Sequence, residues 1–238
     1  MRFMVMHKMT QEMERGLPLE PATIAGVHAL VDEGVKKGIF VSGEGLKPSS
    51  ERYRVVYENG KRTVTDGPFT EAKELVAGFA LLRVQSKEEA IGWMDKVAAL
   101  SGDAELVMGP VVEPWDLGLT PQPANPPLRI LALRQANESA KDAPPDAKRM
   151  QRLGGLVAEM TAAGVLQATG GLTSTKDGAR IHYAAGKHSV VDGPFAESKE
   201  LVAGYAILDV PSKAAAVEWS LRFGDVVKVN EIEVRALS

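Results

Sequence analysis

The sequence predicts an α+β protein that contains two copies of one domain. Residues 66–84 return at 192–210, where 14 of 19 positions are identical at an offset of 126 residues. The same offset pairs Gly38 with Gly164 and Trp93 with Trp219 without a gap. Strand-like and helix-like periodicities also follow in the same order in both segments. These observations together indicate a tandem duplication.

Proline-rich sequence separates the two copies. Prolines at 114, 121, 123, 126 and 127 fall between two segments of ordinary globular composition. We therefore predict a first copy at 1–113, a linker at 114–127 and a second copy at 128–238. A stretch of this kind stays extended and solvated, so it is long enough to reach across a domain.

The first half of each copy predicts a strand, a helix and a second strand. Phe3 to Lys8 is an apolar run, matched by Arg129 to Gln135 in the second copy. Apolar residues recur at helical spacing from Ile24 to Val35, and Gly38 predicts the end of that helix. Ile39 to Ser42 predicts the second strand.

The second half of each copy predicts a hairpin, a strand, a helix and a final strand. The alternation from Tyr53 to Tyr57 leads into Asn59-Gly60, a dipeptide that favours a two-residue hairpin turn. Ser86 to Glu89 has the pattern of a capping box that opens a helix. The remaining predicted strands are Arg62 to Thr65, Leu75 to Val84 and Ala104 to Glu113.

This order of elements predicts a ferredoxin-like, split βαβ fold with an inserted hairpin. In that fold both helices cover one face of an antiparallel sheet and leave the other face bare. Such a face is too apolar to remain in contact with water. We therefore expect the bare faces of the two copies to pack together, as a single-chain dimeric α+β barrel.

Composition excludes several classes of function. The net charge of −3 argues against a nucleic-acid partner. The chain has no cysteine and four scattered histidines, so we expect neither disulfides nor a metal site. No apolar run approaches the roughly 20 residues that span a bilayer, and no cofactor motif is present. We expect a cytoplasmic protein without cofactor that meets neither nucleic acid nor membrane.

Three segments carry a resemblance to a known family. They are residues 42–49, residues 59–69 with the sequence Asp66-Gly67-Pro68-Phe69, and residues 71–74. These segments resemble the YCII-related family, and more narrowly its subgroup with the Asp-Gly-Pro-Phe motif. The resemblance implies a dimeric α+β barrel and, in some members, a His–Asp site. Some members are encoded beside extracytoplasmic-function sigma factors or fused to them.

Asp66 and Asp192 are the first candidate site residues. Each follows an alternating strand and precedes Gly-Pro, where the chain must turn. One interpretation makes the carboxylate a turn cap that accepts amide hydrogen bonds near Glu71 or Glu197. The other places Asp66 at a pocket mouth, where burial raises its pKa and makes it a general base.

His28 is the second catalytic candidate, because it falls among the apolar residues of the first helix. A histidine there is ordinarily a hydrogen-bonded core residue, but the resemblance implies an active-site role for a first-helix histidine. The aligned residue in the second copy is Gly154, and Leu133 aligns with His7. We therefore predict that any working site belongs to the first copy.

The ligand-binding candidates are Phe69, Arg54, Asp192 and Phe195. The two phenylalanines follow the Gly-Pro turns, where they are able to line a pocket. Arg54 alternates with apolar neighbours, so it either anchors an anionic ligand or lies on an exposed strand face.

Three functions remain open from the sequence. The first is acid/base catalysis on a small, partly apolar compound by Asp66 and His28. The second is a small-ligand-binding or regulatory module without catalysis, and the third is a structural pseudo-dimer. A pocket that joins Asp66 to His28 favours the first, a cavity without such a pair the second, and a filled interior the third.

Overall fold

The computed structural model describes residues 1–69, 74–136, 146–184 and 186–238. The described helices are α1 (Gln11–Glu14), α2 (Pro21–Lys36), α3 (Lys87–Ser101), α4 (Ala147–Ala162) and α5 (Lys213–Val227). The strands of the first copy are β1 (Arg2–Lys8), β2 (Phe40–Gly45), β3 (Tyr53–Glu58), β4 (Lys61–Asp66), β5 (Val76–Val84) and β6 (Ala104–Pro110). Those of the second copy are β7 (Leu128–Gln135), β8 (Leu166–Gly171), β9 (Ala179–Ala184), β10 (Lys187–Asp192), β11 (Val202–Asp209) and β12 (Glu231–Ala236).

Local sequence signals account for the ends of these elements. Asn59 and Gly60 have φ values of 50° and 73°, as the predicted hairpin turn between β3 and β4 requires. The Ser86 side chain accepts a hydrogen bond from the Glu89 amide and caps α3. Gly38 follows α2 with a φ of 68°, which confirms its predicted role at the helix end.

The strands form two six-stranded antiparallel sheets, and each sheet contains strands from both copies. The first sheet has the order β10-β9-β12-β1-β11-β2, and the second has the order β4-β3-β6-β7-β5-β8. Strand β1 of the first copy therefore lies between β11 and β12 of the second copy. The expectation that each copy forms a sheet of its own is wrong. Because β5 and β11 carry almost the same sequence, the sequence pattern does not distinguish these two possible partners of β1.

The exchange of strands also changes the role of the proline-rich linker. Strands β6 and β7 are antiparallel neighbours in one sheet, with Leu106 opposite Arg134 and Pro110 opposite Ile130. The linker joins these two adjacent strands, so it does not have to reach across a domain as expected.

Apolar side chains fill the space between the two sheets. Strands β1 and β11 contribute Met6 and Ile207 from one sheet, and strands β5 and β7 contribute Leu81 and Leu133 from the other. Separate apolar clusters lie between the helices and the sheets, and they include Met94 of α3 and Trp219 of α5. The bare faces of the sheets therefore pack on each other, as a face-to-face core requires.

Single β-bridges connect the two sheets at their edges. Leu46, just after β2, pairs with Val111, just after β6. The equivalent pair in the other half is Leu172 with Leu237. These two bridges join one edge of each sheet to the neighbouring sheet.

Candidate functional site

The Asp-Gly-Pro-Phe segments are tightly packed turns. The Gly67 amide donates to the Arg52 carbonyl over 2.9 Å, and the Gly193 amide donates to the Gly178 carbonyl over 3.1 Å. A methyl group on Gly67 would collide with the Ser49 carbonyl oxygen. The same addition on Gly193 would collide with that of Thr175. Each glycine is therefore required by the close approach of a 3₁₀ turn, Ser49–Glu51 or Thr175–Asp177.

Asp66 and Asp192 lie on the surface. The Asp66 carboxylate pairs with Lys87 and the Asp192 carboxylate with Lys213, the aligned lysine, at 2.6 Å. The two side chains are 72% and 74% exposed. Among the described residues neither carboxylate accepts an amide hydrogen bond, and Glu71 lies outside those residues. Their exposure does not fit the buried base that the sequence suggested, and the cap near Glu71 stays a prediction.

We expect Asp66→Asn to change the free energy of unfolding by no more than about 1 kcal/mol. An exposed ion pair contributes little, because water and salt screen it. Urea denaturation of Asp66→Asn and Asp192→Asn checks this, with Lys87→Gln as the matched removal of the partner. A loss of 2 kcal/mol, roughly the upper end for a helix or turn cap, would restore the cap interpretation.

The arginine and phenylalanine candidates contact each other. The Arg54 guanidinium lies 4.9 Å from the Phe69 ring centroid, and Arg180 lies 4.2 Å from that of Phe195. Arg54 Nε is also 3.1 Å from a Glu105 carboxylate oxygen. Each pair thus forms a cation–π contact that fixes the turn to the neighbouring strand. These contacts give Arg54, Phe195 and one face of Phe69 a structural role.

The structure does not bring His28 and Asp66 together. Helix α2 packs on α5 and β2 of the first sheet, whereas Asp66 ends β4 in the second sheet. The buried residues of α2 are Leu30 and Gly34, and His28 lies on the exposed side of the helix. The apolar spacing around His28 predicts a helix, and the structure confirms it. The buried face of that helix is rotated by one position from the predicted face, so it includes Leu30 and leaves His28 exposed.

His7 is the only one of the four histidines that is partly buried, since the other three are exposed. Its ring packs 5.4 Å from that of Phe223 in α5, and its Nδ1 has no hydrogen-bond partner among the residues that the structure describes. Burial lowers the pKa of His7 to about 4, so the ring is neutral at pH 7. His7 lies opposite Gly204, whereas Arg134 lies opposite the aligned Gly78. Its structural counterpart is therefore Arg134, and the alignment of His7 with Leu133 is wrong by one residue.

A cleft of about 520 Å³ opens beside Phe69, between the two copies. Its base is apolar, with Met9, Leu201 and Phe69 in one cluster. Its walls and rim are polar: Thr10, Gln11, Glu12, Glu14, Lys199, Glu200, Lys228 and Asn230. The first copy supplies one wall and the second copy supplies the other. No single copy contains this cleft. That the working site belongs to the first copy stays a prediction.

A row of charged residues lies next to the cleft on the inner face of the first sheet. His182 in β9 lies opposite Glu231 in β12, and His182 Nδ1 is 3.4 Å from a Glu231 carboxylate oxygen. The other Glu231 oxygen is 3.4 Å from Arg180 Nε. Lys8 lies on the next strand, β1, and is 2% exposed. The aligned positions of His182 and Glu231 are Val56 and Glu105, so this row is more polar than its counterpart.

A second buried network connects the two sheets behind the cleft. Glu74 Oε2 accepts the Val202 amide over 2.6 Å, and Arg52 Nη1 donates to the Val202 carbonyl over 2.7 Å. Burial raises the pKa of Glu74, while burial lowers that of Arg52 to about 10 against the opposing charge of Glu74. Within the described ranges, Arg52 Nη2 has no hydrogen-bond partner. The guanidinium and the carboxylate thus bind the two backbone groups of one residue, Val202.

Glu200 is a cleft residue whose surroundings make it a weaker acid. Burial and the neighbouring Glu231 raise the pKa of Glu200, and Lys8 and His182 act in the opposite direction. Sequence reasoning missed Lys8 and Glu200. A lysine that ends an apolar strand was a usable signal for Lys8, because buried lysines are rare. Nothing in the sequence around Glu200 distinguishes it from the exposed residues beside it.

Metal binding and membrane insertion find no support within the described parts of the chain. Across residues 1–69, 74–136, 146–184 and 186–238, no three His, Asp or Glu side chains converge as metal ligands do. In the same ranges no helix has the length and apolarity to cross a membrane.

Comparison with known families identifies the repeated unit. The sequence model of the YCII-related domain matches residues 1–106 and again residues 129–235. The chain belongs to the YCII-related family. The two matches confirm the tandem duplication of a YCII-related domain, and they cover most of the chain. No curated protein and no solved structure matches the chain.

Proposed function

We propose that this YCII-related protein binds a small, partly apolar molecule in the cleft beside Phe69. The cleft itself carries the proposal: its volume of about 520 Å³ lies within the usual range for metabolite sites. It also combines an apolar base with several polar groups on its rim, as such sites do. The space between the sheets is filled by side chains, which leaves the cleft as the better place for a ligand.

Blocking the cleft should abolish binding without unfolding the protein. Gln11 is exposed and lines the cleft, so Gln11→Trp places an indole across its opening. Gln151→Trp makes the same change on the exposed face of α4, away from the cleft. We expect small-molecule fragments to shift the amide NMR signals of Met9 and Leu201 in the parent and Gln151→Trp proteins only. Fragment binding that survives Gln11→Trp at the same residues contradicts the proposal.

Acid/base catalysis in the same cleft is the second candidate function. It is favoured by Glu200, whose raised pKa brings a proton donor and acceptor closer to neutral pH. In this version Glu200 takes the role that the sequence assigned to Asp66. Conversion of a bound ligand that stops in Glu200→Gln, with binding retained, distinguishes catalysis from binding alone.

The same proposal includes the finer classification of the fold. Strands β12-β1-β11-β2 and β6-β7-β5-β8 each have the order of a ferredoxin-like sheet, with a hairpin added beside β12 or β6. With the edge bridges, this order supports a single-chain dimeric α+β barrel of the Asp-Gly-Pro-Phe subgroup.

We also propose a cytoplasmic protein whose partners are small molecules, on the basis of its cysteine-free composition and its net charge of −3.

A further inference from the structure

Strand β10 leaves one edge of the first sheet open. It is the outermost strand of that sheet, and within the described parts of the chain it pairs with β9 alone. All six of its residues are exposed. An open edge presents backbone N–H and C=O groups that lack protein partners, and a further strand adds to a sheet at such an edge.

The open strand carries apolar side chains on both of its faces. Val190 is 45% exposed and Val191 is 48% exposed, and successive residues of a strand point to opposite faces. The aligned strand of the other half, β4, has Thr65 in place of Val191, and its Val64 is 36% exposed. Exposed apolar residues on an edge favour pairing with another chain. Of the two hairpin edges, β10 is therefore the better suited to such pairing.

The backbone of β10 fixes the register in which another strand can join it. The Gly193 amide donates to the carbonyl of Gly178, and these glycines lie opposite each other one step beyond the β9–β10 pairing. The hydrogen-bonding groups of successive residues alternate between the two sides of a strand. Those of His188, Val190 and Asp192 therefore point away from β9, and an added strand must bind these three residues.

An identical strand meets this requirement when it pairs antiparallel about Val190. Val190 then lies opposite its own copy, and His188 lies opposite Asp192 at both ends of the pair. Lys187 falls opposite Gly193, so no like charges face each other across the contact. Apolar pairs and pairs of a basic with an acidic side chain both stabilise neighbouring strands. The edge is thus complementary to itself in side chains as well as in backbone groups.

The polar side chains of this pairing are accessible in β10 but engaged in β4. Asp192 and His188 are exposed, and the ion pair of Asp192 with Lys213 uses Oδ1 alone. In β4 the residue aligned with His188 is Arg62, whose guanidinium lies 2.5 Å from the Asp95 carboxylate of α3. The first half therefore binds its basic edge residue internally, whereas the second half presents it to solvent.

We propose that β10 pairs with β10 of a second copy of this chain, antiparallel and centred on Val190. The first sheets of two molecules then form one continuous sheet across a two-fold axis. Because the same strand serves both molecules, the contact is closed and yields a dimer rather than a fibre. A single pair of strands buries less area than a standard interface, so the dimer is a weak one.

Sedimentation velocity of the full chain at increasing concentration tests for this dimer. We expect Val190→Lys to raise the dissociation constant roughly tenfold or more, because two ammonium groups then meet at the two-fold axis. Val64→Lys makes the same change in β4 and should leave the constant unchanged. Circular dichroism checks that both variants keep the fold, as expected for exposed edge positions.

The ends of the strand pair are tested through His188. His188→Asp places a carboxylate opposite Asp192 at both ends and should weaken the dimer. His188→Lys keeps a basic side chain there and should retain it. If both variants have the dissociation constant of the parent protein, the register centred on Val190 is wrong.

A single cysteine tests the register directly, because the chain contains no cysteine of its own. Val190→Cys places two thiols at the two-fold axis, where Cα atoms of a hydrogen-bonded pair lie about 5.5 Å apart, as in a disulfide. With oxidised glutathione, we expect Val190→Cys to form disulfide-linked dimers roughly tenfold or more faster than Val64→Cys, since pairing raises the effective concentration of the second thiol.

Three results overturn the inference. The first is a parent chain that stays monomeric at about 1 mM, which is too weak for a specific contact. The second is a dimer that Val64→Lys weakens as much as Val190→Lys does, or more, because the interface then lies elsewhere. The third is equal cross-linking of Val190→Cys and Val64→Cys.

Discussion

Gly67→Ala should destabilise the protein by about 3 kcal/mol, at the upper end of the range for overpacking. The added methyl group meets the backbone carbonyl of Ser49, which is part of a 3₁₀ turn. A flexible side chain could move away, but this carbonyl is held by the Arg52 amide that donates to it. Gly193→Ala meets the Thr175 carbonyl in the same way and should cost a similar amount. Urea denaturation with intrinsic tryptophan fluorescence measures both changes.

Gly154→Ala provides the matched control for these substitutions. Gly154 lies within α4, and a methyl group there meets nothing within 4 Å. The same chemical change should therefore stabilise the protein by roughly 0.5–1 kcal/mol, because alanine favours the helix. If Gly67→Ala and Gly154→Ala change the free energy of unfolding alike, the close approach of Gly67 to the Ser49 carbonyl does not limit the residue at position 67.

The second large effect concerns an arginine side chain that fills an equivalent space in each half. The arginine comes from a different aligned position in the two halves. Arg52 packs on Gly109, and a methyl group on Gly109 would lie 2.5 Å from Arg52 Cγ. At the aligned positions the residues are exchanged, so that Gly178 lies beside Arg235. Arg52 Nε donates to the Lys47 carbonyl, and Arg235 Nε donates to the aligned Thr173 carbonyl. Both halves thus place one arginine in one equivalent space.

Exchanging Arg52 and Gly109 in the first half should restore stability that either substitution alone removes. Arg52→Gly leaves the buried Glu74 without its guanidinium neighbour and should cost about 3–5 kcal/mol. Gly109→Arg alone forces two guanidinium groups into one space. We expect the double variant Arg52→Gly/Gly109→Arg to recover at least about 2 kcal/mol relative to the sum of the single changes.

A double-mutant cycle by chemical denaturation measures this coupling. The reverse exchange, Gly178→Arg/Arg235→Gly, is the control in the other half. In that half Glu233 also accepts a hydrogen bond from Arg235, whereas the aligned residue of the first half is Val107. Because moving the arginine removes its partnership with Glu233, we expect a smaller recovery of stability there. Additive single changes in the first half would show that the two arginines do not occupy equivalent spaces.

Local structure was predictable because it depends on neighbouring residues. The turn at Asn59-Gly60 and the cap at Ser86 follow from backbone and side-chain chemistry within a few positions. The partners of β1 were not predictable, since β5 and β11 carry almost the same sequence. Periodicity shows that a strand has a buried face but does not identify the strand that it pairs with.

The site was less predictable than the fold. The Asp-Gly-Pro-Phe motif attracts attention through Asp66, yet the structure explains it chiefly through Gly67 and through Phe69 against Arg54. Only Phe69 of the predicted residues lines the cleft. The cleft depends on contacts between residues of different copies, such as Met9 with Leu201, which no pattern within one copy contains.

The exchange of strands has a consequence for how the chain acquires its structure during synthesis. Phe3 in β1 is hydrogen-bonded in register with Leu208 in β11 and Ala236 in β12. A nascent chain that has released only the first repeat from the ribosome therefore lacks the two strands that flank β1 in this structure. The two edges of β1 stay unpaired until the second repeat emerges, and pairings this distant in sequence form slowly. During that interval the second repeat of another nascent chain is able to pair its β11 with β1. The linker between the two repeats favours the β11 of the same polypeptide, because it raises the effective concentration of that strand.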